Sequence, residues 1–215
     1  MLRVSNLFVE RGGVHVLTDL TLHVAQGERV ALHGPSGCGK TTLLHAIVGL
    51  IEIQSGGVWL ENKQITEVPT HQRGVGLVFQ DDQLFPHLTV VDNVAYPLRI
   101  HGVPKSQRRA SASAWLKRVG LEGFEHRNVS ELSGGEAKRV ALARTLAAEP
   151  RVVLLDEPLS GLDDSLHDQL LDDVRRLFDQ LGTTVVHVTH DRVEGAALCH
   201  RAVEFTSLSV RIELP

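Results

Sequence analysis

Apolar and polar positions alternate in part through Leu2–Val9 and Val16–Val24, with Gly12–Gly13 between them. This predicts two extended segments joined by a turn. Glu28–His33 predicts a short strand running into a glycine-rich turn, and a helix should start near Gly39 and stop at Gly49. Val58–Leu60 and Val75–Phe79 read as strands, and Val90–Ile100 and Lys105–Val119 as helices, the second opening after Pro104. A further helix over Gly134–Ala148 halts before Pro150. Val152–Leu155 is apolar at every position, as in a strand covered on both faces of a parallel sheet. Asp164–Leu181 has helical spacing and Thr184–Thr189 reads as another strand. Strands alternating with helices predict an α/β domain with a largely parallel sheet. Residues 83–149 hold no convincing strand, which predicts a helical insertion between two halves of that sheet.

Composition narrows the function. A chain of 215 residues suits one domain with a built-in subdomain. With 42% apolar and 22% charged residues, it is neither disordered, collagen-like nor a disulfide-stapled miniature. The 22 basic and 26 acidic residues give a net charge of −4, which argues against a nucleic-acid partner. Cys38 and Cys199 form no CxxC pair and suit a reducing compartment. The N-terminus lacks the apolar stretch of a secretory signal. No run approaches the ~18 apolar residues that span a bilayer. The expectation is a soluble chain that can still dock on a membrane protein.

Gly34-Pro35-Ser36-Gly37-Cys38-Gly39-Lys40-Thr41 fits the phosphate-loop pattern G-x4-G-K-[ST]. Glycines let backbone N–H groups approach phosphate oxygens, and the following helix turns its positive end to the same anion. Lys40 supplies a compact charge for the β- and γ-phosphates, and the Thr41 hydroxyl can ligate Mg²⁺. The alternative, an ordinary glycine turn, does not require a strand before and a helix after. Cys38 within this loop reads as a small residue filling a tight turn; a lowered thiol pKa is the alternative.

Asp156 and Glu157 follow the apolar run Val152–Leu155. A buried strand would deliver Asp156 to the edge where open α/β sheets bind ligands, to hold Mg²⁺ through water. Side chains alternate along a strand, so Glu157 should face another way and could orient or deprotonate a water. A strand ending in a solvated acidic turn is the plain alternative. Leu132-Ser133-Gly134-Gly135-Glu136 opens a helix, with Ser133 as a plausible N-cap. Capping alone leaves two adjacent glycines unexplained, whereas a second anion site at a helix N-terminus uses their bared N–H groups.

The order of the phosphate loop with Thr42, Gln80, L-S-G-G-E, V-V-L-L-D-E-P, S-G-L-D and His190 closely resembles the ATP-binding-cassette (ABC) ATPases over about residues 2–205. The resemblance implies a P-loop NTPase fold with a mainly parallel core sheet, an N-terminal antiparallel β subdomain and an inserted α-helical subdomain. It implies ATP and Mg²⁺ as cofactors. It also implies an ATP-dependent homodimer in which each ATP lies between the phosphate loop of one copy and Ser133, Gly134, Gly135 and Glu136 of the other. Gln80, Glu157 and His190 would be catalytic: Gln80 near Mg²⁺ and the attacking water, His190 at the γ-phosphate. Asp163 would signal across the dimer. Thr41, Gln80 and Asp156 would surround the metal. Residues 34–42, with Arg11 and Val16, would bind ATP.

By the same resemblance, hydrolysis would drive separate transmembrane permease subunits, with a solute-binding protein in the complex and the chain peripheral on the inner face of the cell membrane. Arg73–Gln80 and Leu84–Val90 resemble importers of iron, polyamines, thiamine, molybdate or sulfate, and the expectation is a cassette lacking the C-terminal regulatory domain that many of these carry. Ala95-Tyr96-Pro97-Leu98 is also similar to lipoprotein-release and peptide-export ATPases, so export stays as an alternative. Non-transport ABC ATPases usually add coiled coils, zinc cysteines or a second cassette, and a regulator without turnover would not need Glu157 and His190.

The chain departs from the family at three places. Arg11 stands where an aromatic ring usually stacks on adenine, a task a guanidinium can perform. Ala137 and Lys138 are unusual after the L-S-G-G-E element. Phe205-Thr206-Ser207-Leu208 lacks a customary turn glycine. The basic run Lys105–Arg109 reads as a solvated helix face, with contact to lipid or a membrane subunit as the minor alternative. The remaining histidines, His33 and His187 among them, show no metal-ligand spacing.

Overall fold

The computed structural model describes residues 1–205. Thr206–Leu208 of the expected last hairpin lie outside them. The chain forms two compact units. One comprises residues 1–77, 151–156 and those from Gly182 onward; the other comprises residues 78–150 and 157–181.

In the first unit, β1 (Leu2–Arg11) and β2 (Val14–Val24) form an antiparallel hairpin. Its two turn residues, Gly12 and Gly13, have φ of 58° and 78°. Such a turn needs left-handed backbone at both positions, which is why glycines occupy it. β4 (Ser55–Leu60) pairs with the other edge of β1 and β5 (Lys63–Gln64) with β4, giving a four-stranded sheet in the order β2-β1-β4-β5. Leu2, Val4, Leu7 and Val9 of β1 are fully buried, so the loose alternation in the sequence reflects one covered face.

The second sheet has the order β6-β7-β8-β3-β9, with β6 at Val75–Val78, β7 at Val152–Asp156, β8 at Thr184–Val188, β3 at Arg29–His33 and β9 at Arg201–Glu204. β7 with β8, β8 with β3 and β3 with β9 run parallel. Every residue of β3, β7 and β8 is buried, which accounts for the unbroken apolar run at Val152–Leu155. α1 (Lys40–Val48) follows β3 and lies between Gly39 and Gly49, both left-handed, so the two glycines set its bounds.

The C-terminus of α1 is closed by a buried cation. Arg73, 6% exposed, donates from Nη1 to the carbonyls of Ala46 (3.1 Å) and Ile47 (2.9 Å) and from Nε to that of Val68 (2.7 Å); Nη2 donates to that of Thr66. A guanidinium satisfies the orphan carbonyls of a helix end and lies at the negative pole of its dipole. A Cβ on Gly49 would stand 2.3 Å from the Arg73 Cζ, so the glycine also makes room for the cation.

The second unit carries α2 (Val90–Val94), α3 (Tyr96–Ile100), α4 (Lys105–Arg118), α5 (Gly134–Ala147) and α6 (Asp164–Leu181). The single helix expected over Val90–Ile100 is two short ones divided at Ala95. Pro97 explains the break, because it has no N–H to give and its ring crowds the carbonyl four residues back. Asn93, fully buried, accepts from the Phe85 N–H (2.8 Å) and donates to the Phe85 carbonyl (3.1 Å), tying residues 85–89 to α2. The basic run at the start of α4 is not purely solvated. Arg109 grips the Asp92 carboxylate with two bonds, 3.0 and 2.7 Å, and Arg108 donates to the Val103 carbonyl (3.1 Å). α6 buries Leu170, Leu171, Val174, Leu177 and Phe178, a one-sided helical stripe. No helix among the described residues is long and apolar enough to cross a membrane.

The short elements β5, β9 and α7 (Arg192–Leu198), all in the first unit, escape the sequence pattern.

Candidate nucleotide site

β3 ends at His33 and hands the chain to the glycine-rich loop. Pro35, Ser36 and Gly37 are exposed, whereas Cys38, Gly39 and Lys40 are buried. Gly37 and Gly39 have φ of 79° and 107°. Successive positive-φ glycines before a helix turn backbone N–H groups toward one centre. A Cβ on Gly37 would meet nothing within 4 Å, so its freedom serves backbone shape; Gly39 also packs, its Cβ position being 3.0 Å from Leu17. The Lys40 ammonium donates to the carbonyls of Gly34 (2.7 Å) and Pro35 (2.9 Å), which holds the positive charge over the loop. Cys38 is free and 7% exposed, with Sγ 3.1 Å from where a Gly34 Cβ would lie, a packing role for a small residue.

β7 brings Asp156, 5% exposed, beside α1, where the exposed Thr41 hydroxyl donates to its Oδ1 (3.1 Å). A hydroxyl and a carboxylate side by side are hard oxygen donors of the kind Mg²⁺ takes, so these residues fit a magnesium–phosphate group. His45, one turn further along α1, has a pKa lowered mainly by burial; Asp156 opposes this and Arg11 adds to it. Arg11 therefore lies within electrostatic reach of this helix. It is exposed, at the end of β1 and two residues beyond buried Val9. Val16 lies 3.3 Å from the Cβ position of Gly39. His190 is exposed just beyond β8, in the same unit.

The second unit holds the other candidates. The alternation expected to turn Glu157 away from Asp156 does not operate, because β7 ends at Asp156. Glu157 instead takes left-handed backbone, φ 45°, and its carbonyl accepts from the Ser160 N–H (3.2 Å). A non-glycine residue held there stores strain of the kind found at functional sites. Asp163 caps α6, accepting from the Leu166 N–H (3.0 Å) and the Ser165 hydroxyl (2.8 Å), and these bonds lower its pKa.

Ser133 and Glu136 form a reciprocal capping box at the start of α5. The Ser133 N–H donates to the Glu136 carboxylate (2.7 Å), and the Glu136 N–H donates to the Ser133 hydroxyl (3.4 Å). Gly134 is exposed with room for a Cβ, whereas a Cβ on Gly135 would lie 2.8 Å from Leu166 of α6. One glycine thus serves close helix packing and the other leaves the helix N-terminus bare.

Gln80 is exposed, and its carbonyl accepts from the Lys138 ammonium of α5 (3.2 Å). Arg144 of α5 donates to the carbonyls of Asp82 (2.9 Å) and Gln83 (2.8 Å). The departure at Lys138 therefore has a physical role in tying the Gln80 segment to α5. Its sequence signal was only its oddity. Thr189 and Glu194, which hold the flanks of His190, carried no signal beyond the D-x-x-E spacing at Asp191 and Glu194. Among the described residues, no three metal-ligating side chains converge.

A family model described as "ABC transporter" matches residues 17–160. The chain is 49% identical over 203 residues to the Fe(3+) ions import ATP-binding protein FbpC of Streptomyces avermitilis, covering 94% of this chain and 59% of that protein. It is 40% identical to the spermidine/putrescine import ATP-binding protein PotA of Clostridium novyi, covering 94% and 58%. The chain thus spans less than two thirds of the length of these curated relatives. Among solved structures it superposes with TM-score 0.84 and 31% identity on an ATP-binding cassette described as dimeric, in a post-hydrolysis state and bound to ADP and Pi, covering 98% of this chain and 97% of that one. With the phosphate loop, the Thr41–Asp156 pair and the capped Ser133-Gly134-Gly135 helix start all present, the chain belongs to the ABC transporter family.

Proposed function

We propose that this chain is the ATP-hydrolysing subunit of an ABC importer. The observation that carries the reading is the first-unit triad of Lys40 over the loop, Thr41 and Asp156, a ready seat for a magnesium–nucleotide. Lys40 would leave the loop carbonyls for the β- and γ-phosphates, while Thr41 and Asp156, with Gln80, would hold Mg²⁺. The ion would neutralise phosphate charge as the γ-phosphoryl leaves. Glu157 would orient and deprotonate the attacking water, and His190 would meet the γ-phosphate. Two copies would clamp two ATP molecules, each between the phosphate loop of one copy and Ser133–Glu136 of its mate, with Asp163 at the seam. Because the clamped state binds ATP better than the open one, hydrolysis would reopen the pair.

Residues 83–149 would act as the helical subdomain that passes this motion to transmembrane permease subunits at the inner face of the membrane, with a solute-binding protein in the full complex. Import is favoured because the iron and polyamine relatives are import proteins by name. The deciding experiment compares ATP turnover of Glu157→Gln with the parent chain. A fall of about 10²–10⁴-fold with ATP binding retained is expected for a lost general base. Equal turnover would remove Glu157 from the chemistry.

A further inference from the structure

His190 is exposed, yet both of its neighbours are held from behind by a buried polar network. Thr189 is 1% exposed; its N–H donates to the Leu32 carbonyl of β3 (3.4 Å), and its hydroxyl donates to Glu194 Oε2 (2.6 Å) and accepts from the Asp191 N–H (3.0 Å). Glu194 is 5% exposed, and its Oε1 lies 3.2 Å from Nε2 of His187, which is fully buried. The Asp191 carboxylate caps α7, accepting from the N–H groups of Val193 (2.7 Å) and Glu194 (3.2 Å). Gly195 lets α7 lie against the last residue of β3, since a Cβ there would stand 2.6 Å from the His33 ring. The helix is thereby docked on the strand that leads into the phosphate loop, and its buried carboxylate reaches back to the hydroxyl beside His190.

Packing alone does not call for this arrangement. A buried carboxylate pays heavily in lost hydration, and an apolar residue of like size would anchor a seven-residue helix more favourably. What the carboxylate adds is direction. Its short bond selects one Thr189 rotamer, and the same hydroxyl fixes the Asp191 N–H, so the backbone is tied on both sides of His190. We propose that Glu194 is a positioning residue for His190, acting through the Thr189 hydroxyl to aim the imidazole at the nucleotide. This rests on reading His190 as the group that meets the γ-phosphate.

Thr189→Val removes the hydroxyl at nearly constant shape, and Thr189→Ser keeps it. With purified chain and saturating magnesium-ATP, Thr189→Val is expected to lower kcat about 10- to 100-fold, the scale set by misplacing a reacting group by about 1 Å. KM should stay within about threefold, because the phosphate loop is untouched, and Thr189→Ser should keep parental kcat. Combined with His190→Ala, Thr189→Val should add nothing further, the non-additivity of two residues acting through one group. Parental kcat in Thr189→Val, an equal loss in Thr189→Ser, or a further loss on top of His190→Ala would each overturn the proposal. If His190→Ala alone keeps full turnover, the reading of His190 fails and the positioning role falls with it. If His190→Ala loses turnover while Thr189→Val keeps parental kcat, only the positioning role falls. Should thermal melting show Thr189→Val unfolded, Glu194→Ala, which removes the acceptor from the other side, carries the same comparisons.

Discussion

Replacing Arg73 by Met should destabilise the chain more than any exposed substitution. Methionine keeps most of the stem volume and removes the guanidinium, so the four carbonyls of Ala46, Ile47, Thr66 and Val68 lose their charged donor together. A hydrogen bond from a charged group is worth about 1.5–3 kcal/mol, but four bonds from one cation do not add fully, and some carbonyls would recover water. A buried carbonyl left without a donor costs about 1–3 kcal/mol, so four of them with partial recovery of water cost roughly 3–5 kcal/mol in all, a large part of the ~5–15 kcal/mol that holds a domain together. For a chain of this size each kcal/mol moves the midpoint by about 2–4 °C, so Tm should fall by roughly 6–20 °C. Arg73→Lys should fall between parent and Met, since an ammonium reaches some of the carbonyls but cannot fork. Differential scanning fluorimetry at neutral pH reads all three. A Tm for Arg73→Met within about 2 °C of the parent, or Lys falling below Met, would refute the reasoning.

Glu157→Gly should raise Tm by about 2–4 °C, because glycine relieves about 1 kcal/mol of left-handed strain, while ATP turnover is lost; a lower Tm by calorimetry would count against stored strain. The Asp92 pKa is lowered chiefly by the Arg109 hydrogen bonds. A depressed carboxylate stabilises fully above its unfolded pKa and loses that contribution as pH falls through the folded value. The Tm gap between the parent and Asp92→Asn should therefore hold steady from neutral pH down to about 5 and shrink below about 4, as melting across that range would record. Arg11→Ala should weaken ATP binding a few-fold, as expected for one lost stacking contact; an unchanged nucleotide Kd would exclude the stacking role.

Buried regularity was the most legible feature of the sequence. Val152–Leu155 had no polar break and became a wholly buried parallel strand, and Gly39 and Gly49 marked both ends of α1 because only left-handed backbone ends it there. The helix at Asp164–Leu181 carried a strong one-sided stripe. What stayed hidden depends on distant partners. β9 has four residues and a half-covered face, and its identity as a strand comes from pairing with β3. α7 has seven residues and a central glycine, so no period could announce it. Pro97 did carry a visible warning that Val90–Ile100 would break. The chemistry-bearing residues stood out by type and order, whereas Lys138, Arg144, Thr189 and Glu194 gain meaning only from what they touch.

β3 is flanked on one side by residues 184–188 and on the other by residues 201–204, while the loop it carries begins at Gly34. The Phe205 N–H donates to the His33 carbonyl, and its own carbonyl lies 2.7 Å from where a Gly34 side chain would begin. During synthesis, this strand must therefore wait unpaired while some 150 residues emerge. Contacts so far apart in sequence form slowly, which leaves the nascent chain exposed for longer. The glycine-rich segment after this strand is written early and completed late, and a ribosome halted before residue 184 would display it without its walls.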